Sequence, residues 1–270
     1  MTIVVNGEGT IHSAGLRARA LAGLAPMARA AGKKAWLINA TLQGNDEAMV
    51  ADLAQFDHIW VRESASEAWA QARGLRVTRM ADLSFCQHLE PLGLPVQGKG
   101  RIVIDSVLPQ ANLRLYQMAQ QEGGPLWTLL HDAEGQMQAL RKVPGAESGV
   151  PRGRWIDGIA FAPVPSGGPR DLAQFAAFLS RHAAMVTGRF HAACLAVLLR
   201  LPFHALPSNT WKIEAMLADI GLDPARMLGP EAGLPAVLPF SPAERAAIDR
   251  YVARARFEAG AMVERILSGY

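Results

Sequence analysis

Residues 185–214 read MVTGRFHAACLAVLLRLPFHALPSNTWKIE. An apolar strand ends in Gly188, Arg189, Phe190 and His191, a helix of small residues follows, and a second short strand ends in Ser208, Asn209 and Thr210. The stretch is a βαβ unit with its polar groups gathered at strand ends. Open α/β sheets bind ligands at the carboxyl ends of their strands, where loops and helix N-termini converge. Arg189 and His191 stand two residues apart at the first such end, and Lys212 lies just beyond the second. Three cationic groups are therefore candidates for a shared crevice. Taken singly, each has a plainer reading: a surface arginine, a helix-start histidine and a solvated first-turn lysine.

Upstream the same alternation recurs. A strand from Thr2 to Val5 runs into Asn6, Gly7, Glu8, Gly9, Thr10, Ile11 and His12. Two glycines one residue apart permit a tight turn whose amides can approach a ligand. Glu8 suits sugar hydroxyls better than a phosphate. Small and apolar residues at helical spacing predict a helix over Gly15–Ala31, and Gly32 ends it. A strand over Ala35–Asn39 and a helix near Asp46–Gln55 precede the strand His58–Val61. That strand delivers Arg62, Glu63, Ser64 and Ser66 to the next turn. Ser64 or Ser66 can cap the following helix, with Glu67 completing a capping box on Ser64. Arg62 is either a solvated charge or a group aimed at an anion. Val77 marks a further strand, and Asp82 near its end reads as a turn or cap residue.

Between Cys86 and Gly100 the Pro and Gly content rises and periodicity fades, as in a linker between two α/β halves. The alternation restarts with the strand Arg101–Ile104, a helix near Pro109–Glu122 and a strand Leu126–Leu130 ending at His131 and Asp132. A loop over Pro144–Arg154, a strand Asp157–Ala162, a turn Pro165–Pro169 and a helix Asp171–His182 lead to the opening stretch. Ser241 and Pro242 begin a final helix with a good N-cap and Pro in its first turn. The expected fold is α/β, two halves with parallel sheets on either side of the linker. Its bounds are residues 1–95 and 96–240, with a C-terminal helix, 241–270, packing on one or both.

Composition narrows the function. Of 270 residues, 50% are hydrophobic and 19% charged, which excludes disordered and collagen-like classes. The net charge is only +3 and the basic residues are scattered, so nucleic acid is not expected as a partner, whereas an anionic small molecule is. The two cysteines and seven histidines lack metal-ligand spacing, so no metal is expected. No apolar run approaches the length of a membrane span and no signal peptide is evident, which predicts a cytoplasmic protein without a membrane span. The motifs G-x-S-x-G, G-x-x-x-x-G-K-[ST] and H-E-x-x-H are absent.

The segment GRFHAACLAVLLRLPFHALPSNTWKIEAMLADIGL resembles the C-terminal signature of the polysaccharide pyruvyl transferase family, through its Arg-x-His, Pro202 and a downstream Lys. NGEGTIH and VRESAS resemble two further segments of that family, in the right order. The resemblance implies a GT-B-like enzyme of two Rossmann-like domains with parallel sheets, its active site in the cleft between them. Such an enzyme moves the pyruvyl group of phosphoenolpyruvate onto a sugar as a ketal, with phosphoenolpyruvate as donor substrate and no cofactor. It implies that Arg189 holds the donor's phosphate or carboxylate and that His191 is a general acid. Lys212 and Arg62 become further anion ligands, and Asn6–Thr10, His12, Ser64, Ser66 and Ser208–Thr210 become substrate contacts. The partners implied are an anionic donor and a sugar or glycan acceptor, with peripheral contact to a lipid-linked glycan; no oligomeric state is implied. Longer members carry an earlier βαβ segment, so the N-terminal domain is expected to lack one. The rivals are a GT-B-like glycosyltransferase using a nucleotide-activated sugar and a non-catalytic glycan-binding relative.

Overall fold

Apolar runs joined by small-residue helices form two parallel sheets in the computed structural model, which describes residues 2–89, 92–94, 98–129, 155–156, 159–163, 172–229 and 231–268. The chain divides into two compact units. The first comprises Met1–Gln87, Thr210–Leu222 and Ala246–Tyr270, the second His88–Asn209 and Asp223–Arg245. The fold is mixed α/β with two domains, GT-B-like.

In the first unit, β1 (Thr2–Asn6), β2 (Lys34–Ala40), β3 (His58–Val61) and β4 (Thr78–Arg79) lie in sequence order, all parallel. Their carboxyl ends therefore share one edge. The helix expected over Gly15–Ala31 is two helices, α1 (Leu16–Ala22) and α2 (Leu24–Ala30). The cause is Pro26, which has no N–H to return to the Ala22 carbonyl and so belongs in the first turn of a new helix. Ala18, Ala22, Ala25 and Ala28 join Leu37, Leu53 and Ile59 in one core cluster. Asp46 caps α3 (Glu47–Leu53) by accepting from the Met49 amide at 3.0 Å.

The capping box expected at Ser64 does not form. The helix α4 (Ser64–Gln71) has Glu63 at its N-cap with no side-chain cap bond. The Ser64 amide donates instead to Asp219 at 2.8 Å, and Glu67 pairs with Arg79 at 3.4 Å. A partner from a distant segment has displaced the local one.

The second unit begins with β5 (Arg101–Ser106), α5 (Pro109–Gln121) and β6 (Leu126–Thr128). It continues with β7 (Trp155–Ile156), β8 (Ile159–Pro163), α6 (Leu172–Leu179), β9 (Ala184–Gly188), α7 (Phe190–Leu199) and β10 (Phe203–Ala205). The sheet order is β10-β9-β5-β6-β8-β7, parallel except for the β7–β8 pair. From β5 the chain moves outward through β6 and β8, then returns to β9 and β10 on the other flank. The reversal point, between β5 and β9, is where open sheets of this kind leave a crevice. The helix α7 is buried from Ala192 to Val197. Because β10 stops at Ala205, Ser208, Asn209 and Thr210 lie in the turn before α8 (Lys212–Ile220), not at a strand end. His131, Asp132, the loop Pro144–Arg154 and the turn Pro165–Pro169 fall outside the described residues.

The final helix, α9 (Pro242–Ser268), starts as expected. Its Ser241 and Glu244 form a capping box, with Ser241 N to Glu244 Oε2 at 2.8 Å and Glu244 N to Ser241 Oγ at 3.2 Å. Glu244 also receives Arg226, which is 0% exposed, through Nε and Nη2 at 3.0 Å each. Burial pushes the Glu244 carboxyl up, but the Arg226 hydrogen bonds and the Ser241 and Asp223 amides outweigh it and bring the pKa down to about 2. From Ala246 onward α9 belongs to the first unit, where Ala259 and Met262 pack against Trp36 and Trp60.

Candidate functional site

In the first unit the turn after β1 is set by backbone proximity. A side-chain carbon added at Gly7 would lie 2.8 Å from Ala40 Cβ, so only glycine lets the turn lie against the end of β2. The Gly7 amide bonds Ile38 O at 2.9 Å and the Thr41 amide bonds Glu8 O at 3.0 Å, which pins the turn on both sides. A carbon added at Gly9 would lie 3.2 Å from Arg62 Nη2 and 3.3 Å from Lys212 Nζ. Two cations, from the turn after β3 and the start of α8, thus converge on one glycine backbone. Asn6 Nδ2 reaches Glu8 Oε1 at 3.4 Å at the surface beside them.

Arg62 is no solvated charge: it is 3% exposed. Its Nη1 donates to Asp82 Oδ2 at 2.8 Å and its Nε to Thr41 Oγ1 at 2.7 Å. Glu63, 2% exposed, lies 3.6 Å from the Nε and accepts from Thr41 Oγ1 at 3.2 Å, from Trp211 Nε1 at 3.4 Å and from Ser66 Oγ. Burial pushes the Glu63 carboxyl up, and the Arg62 charge and these three donors oppose it. Ser66, fully buried, also accepts from the Leu42 amide at 2.7 Å, so its hydroxyl serves the scaffold. Lys212 is 7% exposed, and the neighbouring Trp211 amide donates to Gln43 Oε1 at 3.1 Å. His12 is held below its ordinary value, by burial first and then by the Lys212 and Arg62 charges.

In the second unit Arg189 is the N-cap of α7 and forms a bidentate pair with Asp105, Nε to Oδ1 at 2.7 Å and Nη2 to Oδ2 at 2.5 Å. Asp105 is 0% exposed and also accepts from Thr128 Oγ1 at 2.7 Å. A carbon added at Gly188 would lie 2.3 Å from Ser106 Cβ, so β5 and β9 close on each other at their carboxyl ends. His191 is exposed in the first turn of α7, its ring edge-on to Phe190 at 5.3 Å. Ser208 Oγ donates to Asn209 Oδ1 at 3.3 Å at the surface, whereas Thr210 is buried.

The structure therefore brings Gly9, His12, Arg62 and Lys212 together in the first unit and sets Arg189 and His191 at the end of β9 in the second. Sequence reasoning missed Asp105, and it passed over Thr41, Glu63 and Asp82 as partners of Arg62. A carboxylate inside the apolar run RIVIDS was a signal for Asp105, since a buried charge needs a partner. Among the described residues, no group of three or more His, Cys, Asp or Glu could hold a metal ion, and no helix is long and apolar enough to cross a membrane.

The model of the polysaccharide pyruvyl transferase family matches residues 2–210. No curated protein matches the chain. Among solved structures, the S. aureus MnaA-UDP co-structure aligns with 98% of this chain and 74% of its own, at a TM-score of 0.54 and 11% identity. At that identity the likeness speaks for the fold alone.

Proposed function

We infer function from one premise: the chain belongs to the polysaccharide pyruvyl transferase family, whose model spans residues 2–210. The reading is transfer of a pyruvyl group from phosphoenolpyruvate to a sugar of a surface polysaccharide or its precursor, as a ketal. A proton goes to the methylene carbon while a sugar hydroxyl oxygen bonds to the adjacent carbon and gives up its own proton. The bond to phosphate then breaks, phosphate leaves, and a second hydroxyl closes the ketal with loss of its proton. The donor needs cations for a carboxylate and a phosphate, and the proton steps need a group that titrates near neutrality.

The observation that supports this reading is the convergence of Arg62 and Lys212 on Gly9 in the first unit. Arg62 is oriented by Asp82 and Thr41, and Lys212 adds a point charge, a pairing suited to a small polyanion. In the second unit Arg189 is already held by Asp105, so its proposed part is that of an oriented guanidinium whose charge Asp105 offsets, at the strand end that also carries His191. The proton-transfer role stays with His191, the exposed imidazole at the end of β9.

The test is a titration of the protein with phosphoenolpyruvate, with UDP and a UDP-sugar as controls, followed by the ring NMR signal of His12. An anion seated at Gly9 offsets the charges of Lys212 and Arg62, so phosphoenolpyruvate is expected to raise the His12 pKa as it binds. Saturable binding of the UDP compounds alone, with His12 unmoved by phosphoenolpyruvate, would favour the glycosyltransferase reading instead.

A further inference from the structure

The second unit carries a groove of about 640 Å³ that none of these roles uses, within the size range of ligand sites. Its mouth is formed by Leu108, Leu206 and Pro207, just past the carboxyl ends of β5 and β10, the strands that flank β9 on either side. From there it follows α5 as far as Gln121, with the segment Glu231–Leu234 as the opposite wall. The helix span from Gln110 to Gln121 gives it a length of roughly 16 Å at the α-helical rise. Gly233 and Ala232 put little side chain into the opening.

We propose that this groove seats the acceptor glycan, holding sugar rings beside the one that is modified; the assignment rests on the family reading above, which implies a glycan acceptor. The chemistry of the lining selects the occupant. Gln110, Gln117 and Gln121 lie along one face of α5, and each carboxamide offers both donors and an acceptor, which suits hydroxyls that do the same. Leu108 and Pro207 offer apolar surface for the C–H faces of the rings, over a floor that includes the buried Met118 and Leu206. Arg114 and Glu231 bring one charge of each sign, so the groove selects neither anions nor cations. A hydrocarbon chain would bury these amides and charges without partners, at a cost. Leu113 at the rim is 52% exposed, apolar surface that a ring can cover.

The test uses the full chain with methyl-labelled Leu and Met, titrated without donor with cellotriose, maltotriose and triacetylchitotriose and with the monosaccharide of each. At least one trisaccharide is expected to shift the methyl signals of Leu113, Met118 and Leu206 saturably, binding at least about tenfold tighter than its monosaccharide. The variant Gln110→Ala with Gln117→Ala and Gln121→Ala changes exposed side chains, should melt like the wild type, and should bind at least about tenfold more weakly. The inference is overturned if no trisaccharide moves these methyls, if the triple variant binds like the wild type, or if micelles of dihexanoylphosphatidylcholine move them and no trisaccharide does. Phosphoenolpyruvate is followed separately at His12. Donor binding with an empty groove ends this inference alone, and sugar in the groove without donor binding ends the donor reading alone.

Discussion

Lys212 and Arg62 do unequal work at Gly9. Arg62 is wedged between two buried carboxylates, so Arg62→Met leaves Asp82 and Glu63 uncompensated and should cost roughly 3–5 kcal/mol in a thermal or urea melt. Lys212→Ala should keep the fold and weaken phosphoenolpyruvate about 10- to 100-fold by calorimetry, the worth of a hydrogen bond to a charged group; unchanged affinity would remove Lys212 from the site. In the second unit Asp105→Asn strands the Arg189 guanidinium, whose side chain is only 12% exposed, and should also cost roughly 3–5 kcal/mol. Replacing both partners, as Asp105→Leu with Arg189→Met, should recover much of that stability. A melt of the double variant as low as the single one would refute pairing as the cause. At this scale the sequence shows that Arg62 and Arg189 stand at strand ends but not what they bond to. Arg189 and Arg62 were legible as charges near a ligand crevice. Their tethers were not, because Asp105 reaches its arginine from another strand and Asp82 from the turn after β4, and no spacing rule links those positions.

Among elements, β9 lies tightly against β5. Gly188→Ala forces a carbon toward Ser106 Cβ and should lower stability by about 1–3 kcal/mol, with partial recovery on adding Ser106→Gly. If Gly188→Ala melts like the wild type, the strand ends are looser than described. The apolar runs that gave β2, β3, β5 and β9 were readable because a parallel strand is buried on both faces and shows as an unbroken apolar stretch. Pro26 held the information that divides α1 from α2, but small residues at helical spacing ran straight through it and outweighed it. The Ser64 box failed for the opposite reason: the local pattern was sound, and Asp219 from α8 took the amide first.

At the scale of the molecule, acid should destabilise the second unit across two pH windows. Burial, reinforced by the Arg226 and Arg101 charges, lowers the His204 pKa to about 4 from 6.5. The unfolded chain takes up this proton first, so the stabilisation is complete above pH 6.5 and is lost as the pH falls toward 4. Glu244, lowered from 4.5 to about 2, contributes stability that is complete above pH 4.5 and lost as the pH falls through 2. Melting temperatures taken from pH 7.5 downward should fall across both windows, and His204→Phe should flatten the upper one. A wild-type melting temperature that does not change between pH 7 and 4 would refute the His204 assignment. The division of the chain was only partly legible, because residues 210–222 and 246–270 return to the first unit and membership of a unit is decided by contacts, not by order. That return has a consequence for biosynthesis. The glycine turn and Arg62 leave the ribosome before Lys212, which can reach them only after the intervening residues 88–209 of the second unit have been made. A nascent chain that holds β1 to β4 but not yet α8 thus has one of the two cations of the proposed anion site, and any capture of a donor there must wait for α8.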